Sequence, residues 1–280
     1  MKILITGANG QLGTELRQLL DKRGVDYMAT DSKQLDITKK MAVDTYFGTN
    51  RPDIVYDCAA YTAVEAAEEE PGKTVNYAVN VSGTRNLAQA AEKIGATLVY
   101  ISTDYVFDGT KSDMYLETDA VSPKNEYGLA KYQGEQVVRE IMSRYYIIRT
   151  SWVFGEYGNN FVFTMMKLAK THDKLTVVND QIGRPTWTKT LAEFMSYAVE
   201  EKLAYGLYQL SNDDSCSWYD FACEILKDTQ VQVEPVDSTA FPQKAYRPKH
   251  SVMSLDKVKA TGFEIPTWQK ALRSFKINLK

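Results

Sequence analysis

The sequence predicts an α/β protein: a doubly wound parallel sheet with a smaller C-terminal α/β unit interleaved with it. Three observations predict this. Short apolar runs rich in β-branched residues alternate with helical patterns from residue 2 to residue 150. The first run empties into a glycine-bearing turn, GANGQLG at 7–13, which opens a helix. Gly7, Ala59, Thr103 and Trp152 all fall at the carboxyl ends of predicted strands, where such sheets hold their ligands.

Taken in order, 2–6 is a buried strand and 14–22 repeats leucines at 16, 19 and 20 with helical spacing. Gly24 ends that helix, since glycine tolerates the left-handed position after a helix. A second strand at 25–30 is closed by Asp31, and IVYDCAA at 54–60 is a third strand ending in small residues. A helix is expected over 71–94, with Asn76 and Asn80 on one face and Leu87, Ala88 and Ala91 inside. The strand at 96–102 delivers Thr103 and Asp104, the helix at 127–142 follows, and 145–150 is another strand. Beyond Trp152 the rhythm loosens. Helices are expected over 161–170, 190–199, 218–227, 255–260 and 267–275, with strands at 175–178, 205–210 and 231–236 and loops at 180–186 and 235–250. No clean linker separates two units. The expected division is a dinucleotide-binding domain over 1–150, with parts of 173–200 and the segment after 236, and a mainly substrate-binding domain from 151–172 and 201–236.

Composition narrows the chemistry. The 280 residues are 44% hydrophobic and 25% charged, which supplies a packed core and excludes a disordered chain. A net charge of −3 excludes a general nucleic-acid binder. Three cysteines, Cys58, Cys216 and Cys223, without close spacing exclude a disulfide framework or a zinc cluster. His172 and His250 have no partner at ligand spacing, so no metal is expected. The N-terminal MKILITGANG is too short before its glycine for a secretory signal, and no apolar run approaches membrane-spanning length, so a cytoplasmic protein is expected.

The glycine turn and Asp31 form one unit. Gly7 and Gly10 let the backbone approach a pyrophosphate, whose charge the free N–H groups of the helix N-terminus accept. Asp31, 21 positions after Gly10, suits the adenosine ribose hydroxyls and repels a 2′-phosphate. Lys33 is the one nearby cation in sequence, so NADH is the expected coenzyme, with NADPH tolerated. The spacing is GxxGxxG rather than the commoner GxGxxG. The small side chains at Ala59 and Ala60 leave room for a flat cofactor over the strand tip.

Tyr127 and Lys131 stand four apart on one helix face. The lysine charge is expected to lower the phenol pKa, making Tyr127 a usable proton donor to a carbonyl oxygen. Thr103 and Asp104 end the preceding strand. Arg184 and Arg247 each precede a proline in a loop, and a guanidinium fork matches two oxygens of a diphosphate.

GANGQLG, CAAYTAVEAAE, STDYVFDG, YGLAK, RTSWVFG, NNFVFTM and NDQIGRPT together resemble the dTDP-4-dehydrorhamnose reductase family of extended short-chain dehydrogenase/reductases, over residues 2 to about 272. YxxxK marks only the superfamily; the combination is far more specific. The resemblance implies a Rossmann-type fold and reduction of the 4-keto group of dTDP-4-dehydro-β-L-rhamnose to dTDP-L-rhamnose by NADH or NADPH, in supply of cell-surface polysaccharide. By the same resemblance Gly10, Gln11, Leu12, Asp31, Asp36, Ile37, Ala59, Ala60 and Thr62 hold the dinucleotide. Thr103, Tyr127 and Lys131 are catalytic, with Lys131 also on the nicotinamide ribose. Asp104, Tyr105 and Trp152 touch the sugar, and Asn160, Gln181, Arg184 and Arg247 frame the diphosphate. Two positions depart from the family pattern: Asp57 stands where histidine or asparagine is expected, and Glu65 where aspartate is.

Two alternatives stay open on the sequence. One is a nucleotide-sugar epimerase or dehydratase on the same frame, although dehydratases commonly carry glutamate where Tyr105 stands. The other is a non-catalytic dinucleotide-binding regulatory subunit, against which intact Thr103, Tyr127 and Lys131 argue. Either a monomer or a homodimer is compatible with the sequence.

Overall fold

Residues 1–279 are described by a computed structural model. Strand β1 (Ile3–Thr6) is buried along its whole length, which is why it reads as an unbroken apolar run. It pairs in parallel with β2 (Met28–Ala29) on one side and β3 (Ile54–Asp57) on the other. Strands β4 (Thr97–Thr103), β5 (Tyr145–Thr150) and, well downstream, β10 (Gly206–Gln209) extend the sheet. Six strands run in the order β10-β5-β4-β3-β1-β2. The chain steps from β1 outward to β2 and then returns to β3, so the direction of winding reverses between β1 and β3. A ligand crevice opens at such a reversal.

Helices cover both faces. One carries α2 (Lys40–Asn50), α4 (Thr84–Ile94) and α5 (Glu126–Ile141), packing Val43, Phe47, Leu87, Val137 and Val138 on the sheet. The other carries α1 (Gln11–Lys22) and α7 (Thr188–Glu200), with Leu16, Leu20, Leu191 and Phe194 buried together. Helix α2 has no counterpart in the sequence expectation. Val43 and Phe47 are its buried side chains and Tyr46 packs partly on the same core, so its apolar face is a single i, i+3, i+4 set, too short to stand out beside Gly48 and two threonines.

The segment expected as one helix over 71–94 is three pieces. Helix α3 (Gly72–Tyr77) passes through a π turn at Ala78–Gly83 into α4. The widened turn seats Asn80, which accepts from the Tyr61 N–H at 3.2 Å and donates to Asn76 Oδ1 at 2.7 Å. Such bulges gather at functional sites. The strand expected at 25–30 shrinks to two paired residues, because it lies at the sheet edge with β1 as its sole partner.

The smaller unit has its own core of Phe154, Val162, Trp187, Phe221, Leu272 and Phe275. Three short pairs frame it: β6 (Val153–Phe154) with β9 (Thr186–Trp187), β7 (Lys174–Val178) with β12 (Gln232–Val236), and β8 (Ile182–Gly183) with β11 (Cys216–Ser217). Helices α6 (Phe161–Leu168), α8 (Trp218–Leu226) and α10 (Trp268–Asn278) pack on them, while α9 (Asp256–Lys259) lies against β10. Two placements differ from the expected division. Strand β10 belongs to the large sheet, and α10 buries Trp268 and Phe275 in the smaller core. Among the described residues no helix is long and apolar enough to cross a membrane.

At the seam between α1 and α7, buried Glu15 lies 3.4 Å from the Thr188 hydroxyl. Burial, reinforced by Glu156 and opposed by the Thr188 hydrogen bond, raises its carboxyl to about 7. Between its unfolded value and about 7 the folded chain holds the extra proton, so stability falls as pH rises through that window. Glu15→Gln should remove this slope and stabilise the protein at pH near 8 by on the order of 2 kcal/mol. Thermal melts at about pH 5 and pH 8 check it: equal pH dependence in both proteins contradicts the assignment.

Candidate active site

At the reversal point β1 leads into Gly7, which has φ +61. A Cβ there would lie 2.6 Å from the backbone of Ala59, so only glycine lets the turns after β1 and β3 close on each other. The next residues start α1 without a side-chain cap, leaving its first N–H groups free for an anion. Gly10, Gln11 and Leu12 open onto a cavity of about 730 Å³.

Thr103, Asp104, Tyr105, Tyr127 and Lys131 line the same cavity. Thr103 ends β4 and caps a short 3-10 turn at Asp104–Val106, accepting from the Tyr105 N–H at 3.2 Å and donating to Asp104 Oδ1 at 3.1 Å. Tyr127 is held against this turn from two sides. Asn125 caps α5, accepting from the Gly128 N–H at 2.6 Å. A Cβ on Gly128 would collide with the Tyr105 carbonyl, so glycine permits the approach that puts the Tyr127 ring edge-on to Tyr105, centroids 6.1 Å apart.

The electrostatics correct one expectation. Burial, with Asp104 and Tyr105 adding to it, pushes the Tyr127 phenol up rather than down, and its Thr103 hydrogen bond only partly opposes this. The Lys131 Nζ instead sits 4.1 Å from the centre of the Tyr100 ring. Burial lowers Lys131 to about 8, against the raising effects of Asp57 and Glu135. Burial likewise lifts Asp104 to about 6, and its Oδ2 has no partner.

Ala60, Thr62, Trp152 and Arg247 complete the part of the wall that sequence reasoning named. Trp152, at φ +48, stacks on Trp218 with centroids 3.6 Å apart and planes within 9°. Arg247 donates to the Tyr105 hydroxyl at 2.6 Å and to Glu65 at 2.8 Å. Glu65 also accepts from the Lys244 N–H at 2.9 Å, so the longer acid ties the 244–247 loop to the cleft.

Other expected residues stand elsewhere. Asn160 caps α6 and donates to Gln11 Oε1 and the Gly155 carbonyl, so its amide is engaged within the chain. Gln181 is outside the cavity lining. Arg184 opens on a separate hollow beside Lys111 and His250, with its fork engaged by the Met253 carbonyl at 2.9 Å and Asp213 at 3.8 Å. Ala59 lies beneath Gly7 rather than in the lining. Asp36 accepts from the Thr38 N–H and hydroxyl in a local turn, and buried Ile37 packs at Gly83.

Asp31 flanks the glycine turn, taking a hydrogen bond from Asn9 at 2.8 Å and others from the Lys33 and Gln34 N–H groups. Those two backbone bonds come first among the causes that hold its carboxyl below the usual range. Lys33 is not the only cation here: Arg17 donates to Asn9 Oδ1 at 3.0 Å.

Trp218, Phe161, Asn159 and Asp57 also line the cavity. Asn159 and Phe161 lie within the NNFVFTM motif and Asp57 was marked only as a departure, whereas Trp218 carried no site signal in sequence: it arrives from α8 through a helix start whose capping box is its sole local mark.

The profile of the RmlD substrate binding domain matches residues 1–279. The dTDP-4-dehydrorhamnose reductase of Aggregatibacter actinomycetemcomitans is 40% identical, with 98% of each chain covered. Among solved structures, a dTDP-4-dehydrorhamnose reductase from Clostridium acetobutylicum superposes with TM-score 0.96 at 44% identity, covering 100% of this chain and 99% of that one. The Bacillus anthracis reductase in complex with NADP gives TM-score 0.95 at 43% identity, with 99% of each chain covered.

Proposed function

The chain belongs to the RmlD substrate binding domain family, that of the dTDP-4-dehydrorhamnose reductases, and from that membership we propose how its cleft works. The protein is an NAD(P)H-dependent reductase of the 4-keto group of dTDP-4-dehydro-β-L-rhamnose, yielding dTDP-L-rhamnose. One observation carries the reading: the first turn of α1 and the Thr103, Tyr127 and Lys131 side chains line a single cavity.

The cleft suits a dinucleotide. Gly7 admits the close approach, the uncapped α1 start offers N–H groups to a pyrophosphate, and Lys131 offers an ammonium to a ribose. The reduced nicotinamide supplies the hydride when bound. Tyr127 holds the proton that the substrate's carbonyl oxygen receives, and the Thr103 hydroxyl bonds the same oxygen. Trp152, backed by Trp218, forms the wall against which the sugar lies, and Arg247, the cleft arginine, answers the diphosphate by giving up part of its bonding to Gln243, Tyr105 and Glu65.

Following the absorbance of NADH with enzymatically prepared dTDP-4-keto-6-deoxy sugar tests this. The expected result is one NADH consumed per product, with dTDP-L-rhamnose identified by NMR. Product formed without net NADH consumption would reassign the protein to epimerase-type chemistry, and no turnover on any keto sugar would favour the regulatory reading.

Coenzyme choice turns on Asp31 against Arg17. NADH is the preferred coenzyme in this reading, since the carboxylate opposes a 2′-phosphate, and Arg17 makes NADPH usable. Asp31→Ala should move the ratio of kcat/KM values toward NADPH by about tenfold. An unchanged ratio would remove Asp31 from coenzyme selection.

A further inference from the structure

Asp57 ends β3 at the reversal point and is 2% exposed. Its Oδ1 accepts from the Thr6 hydroxyl at 2.7 Å and the Ala59 N–H at 3.3 Å. Its Oδ2 is buried without a partner. A carboxylate in so dry a place needs a cation or a donor. In register, Asp57 stands beside Tyr100 of β4, and residues in register on parallel strands point to one face of the sheet. Lys131 reaches that face from α5 and rests on the Tyr100 ring. Asp57 and Lys131 both line the cleft.

The other groups facing Lys131 are accounted for. From α5, Glu135 is engaged by Arg149 at 2.8 and 2.7 Å and by the Ser102 hydroxyl at 2.6 Å. Tyr127 from α5 and Tyr100 from β4 are phenols pushed up by burial, hence neutral. The segment around the π turn brings uncharged Asn80 and Thr84 toward the Tyr100 hydroxyl. Asp104, on the turn after β4, also has an unpartnered Oδ2 in the cleft, but its charge bears on Tyr127; among the described carboxylates that bear on Lys131, Asp57 is the one with an uncommitted oxygen.

We infer that Asp57 is a positioning residue for the reaction: the counter-charge that keeps Lys131 an ammonium, aimed at the coenzyme ribose, in the dry floor of the cleft. Histidine or asparagine, which the family resemblance leads one to expect at 57, supplies no negative charge. This chain instead sets an acid beside its lysine, one that burial pushes up and that the Thr6 hydroxyl and the Lys131 charge hold down. Burial brings Lys131 to about 8, and Asp57 is the first of the groups holding it up. Removing the carboxylate lets the lysine lose its proton at lower pH.

The inference rests on the proposed function, and the two are tested separately. Coenzyme affinity is read first, by NADH titration of protein fluorescence without sugar, from about pH 6 to pH 9.5. Asp57→Asn keeps the shape and the acceptor for Thr6. It should leave NADH affinity near wild type at about pH 6 and weaken it several-fold at about pH 8.5. The basic limb of kcat/KM for NADH should move down by about one pH unit, and Asp57→Glu should return it toward wild type. Should Asp57→Asn fail to fold, Asp57→His, neutral in the basic range, reads the same shift. Coincident basic limbs in wild type and the neutral variant, or an equal loss at every pH, overturn the inference. Failure of the wild type to reduce any keto sugar, with NADH binding intact, counts against the proposed function alone.

Discussion

Tyr127→Phe should lower turnover by about 10²- to 10⁴-fold, the usual worth of a positioned general acid, and leave NADH binding nearly unchanged. Hydride addition to a ketone creates an alkoxide, and that oxygen needs a proton as the charge develops. Tyr127 is the phenol in the cleft wall beside the Thr103 hydroxyl. Phenylalanine keeps the ring, its edge contact with Tyr105 and the helix start set by Asn125 and Gly128, so the pocket shape survives and only the proton is lost. Burial keeps the phenol protonated, while making it a weaker acid than a free tyrosine. A phenol pushed above its ordinary value stays protonated throughout the working range, ready to donate. Steady-state turnover together with NADH titration measures the effect; a Phe variant at full turnover ends Tyr127's role as donor.

Arg149→Met should destabilise the fold by roughly 3–5 kcal/mol, about 10 °C in melting temperature for a chain of this size. Arg149 of β5 and Glu135 of α5 are 1% and 0% exposed and meet through two hydrogen bonds at 2.8 and 2.7 Å, with Ser102 of β4 on the same carboxylate. The pair bolts the catalytic helix to the two strands beneath it, one turn below Lys131. Removing the arginine leaves the buried carboxylate only the Ser102 hydroxyl and the longer contact to the part-exposed Arg139 at 3.7 Å, and that is the source of the loss. The double variant Glu135→Leu with Arg149→Met should recover most of it, because no charge is then left buried. Thermal unfolding of the three proteins decides the matter. A single variant that melts with the wild type would mean Glu135 has another route to relief.

Much of the site was legible because its marks are short-range. The glycine turn, the threonine at a strand tip and the Tyr/Lys pair on one helix face are each local patterns, and the cavity gathers them. The residues that stand outside the cavity lining differ from the others in direction. Arg184 and Arg247 carry the same local signature, a guanidinium before a proline, yet one faces the cleft and the other a separate hollow. Asn160 was named by the resemblance, and its amide oxygen caps a helix in this structure. The Lys131 charge lies within one helical turn of Tyr127, but the ammonium turns to the Tyr100 ring, so spacing along a helix did not settle which group it acts on.

By itself the amino-acid sequence determined the strand and helix alternation, the glycine turn after β1 and the phenol–ammonium pair, since each is set by steric and periodic preferences over a few residues. Only the tertiary structure decided that Trp218 backs Trp152, that Asn9 links Arg17 to Asp31, and that Asp57 shares a sheet face with Lys131. Those meetings join residues from about 14 to 74 positions apart, and they depend on how strands order and register in the sheet and how its cores close. No stretch of chain carries that information until apolar burial has brought the segments together.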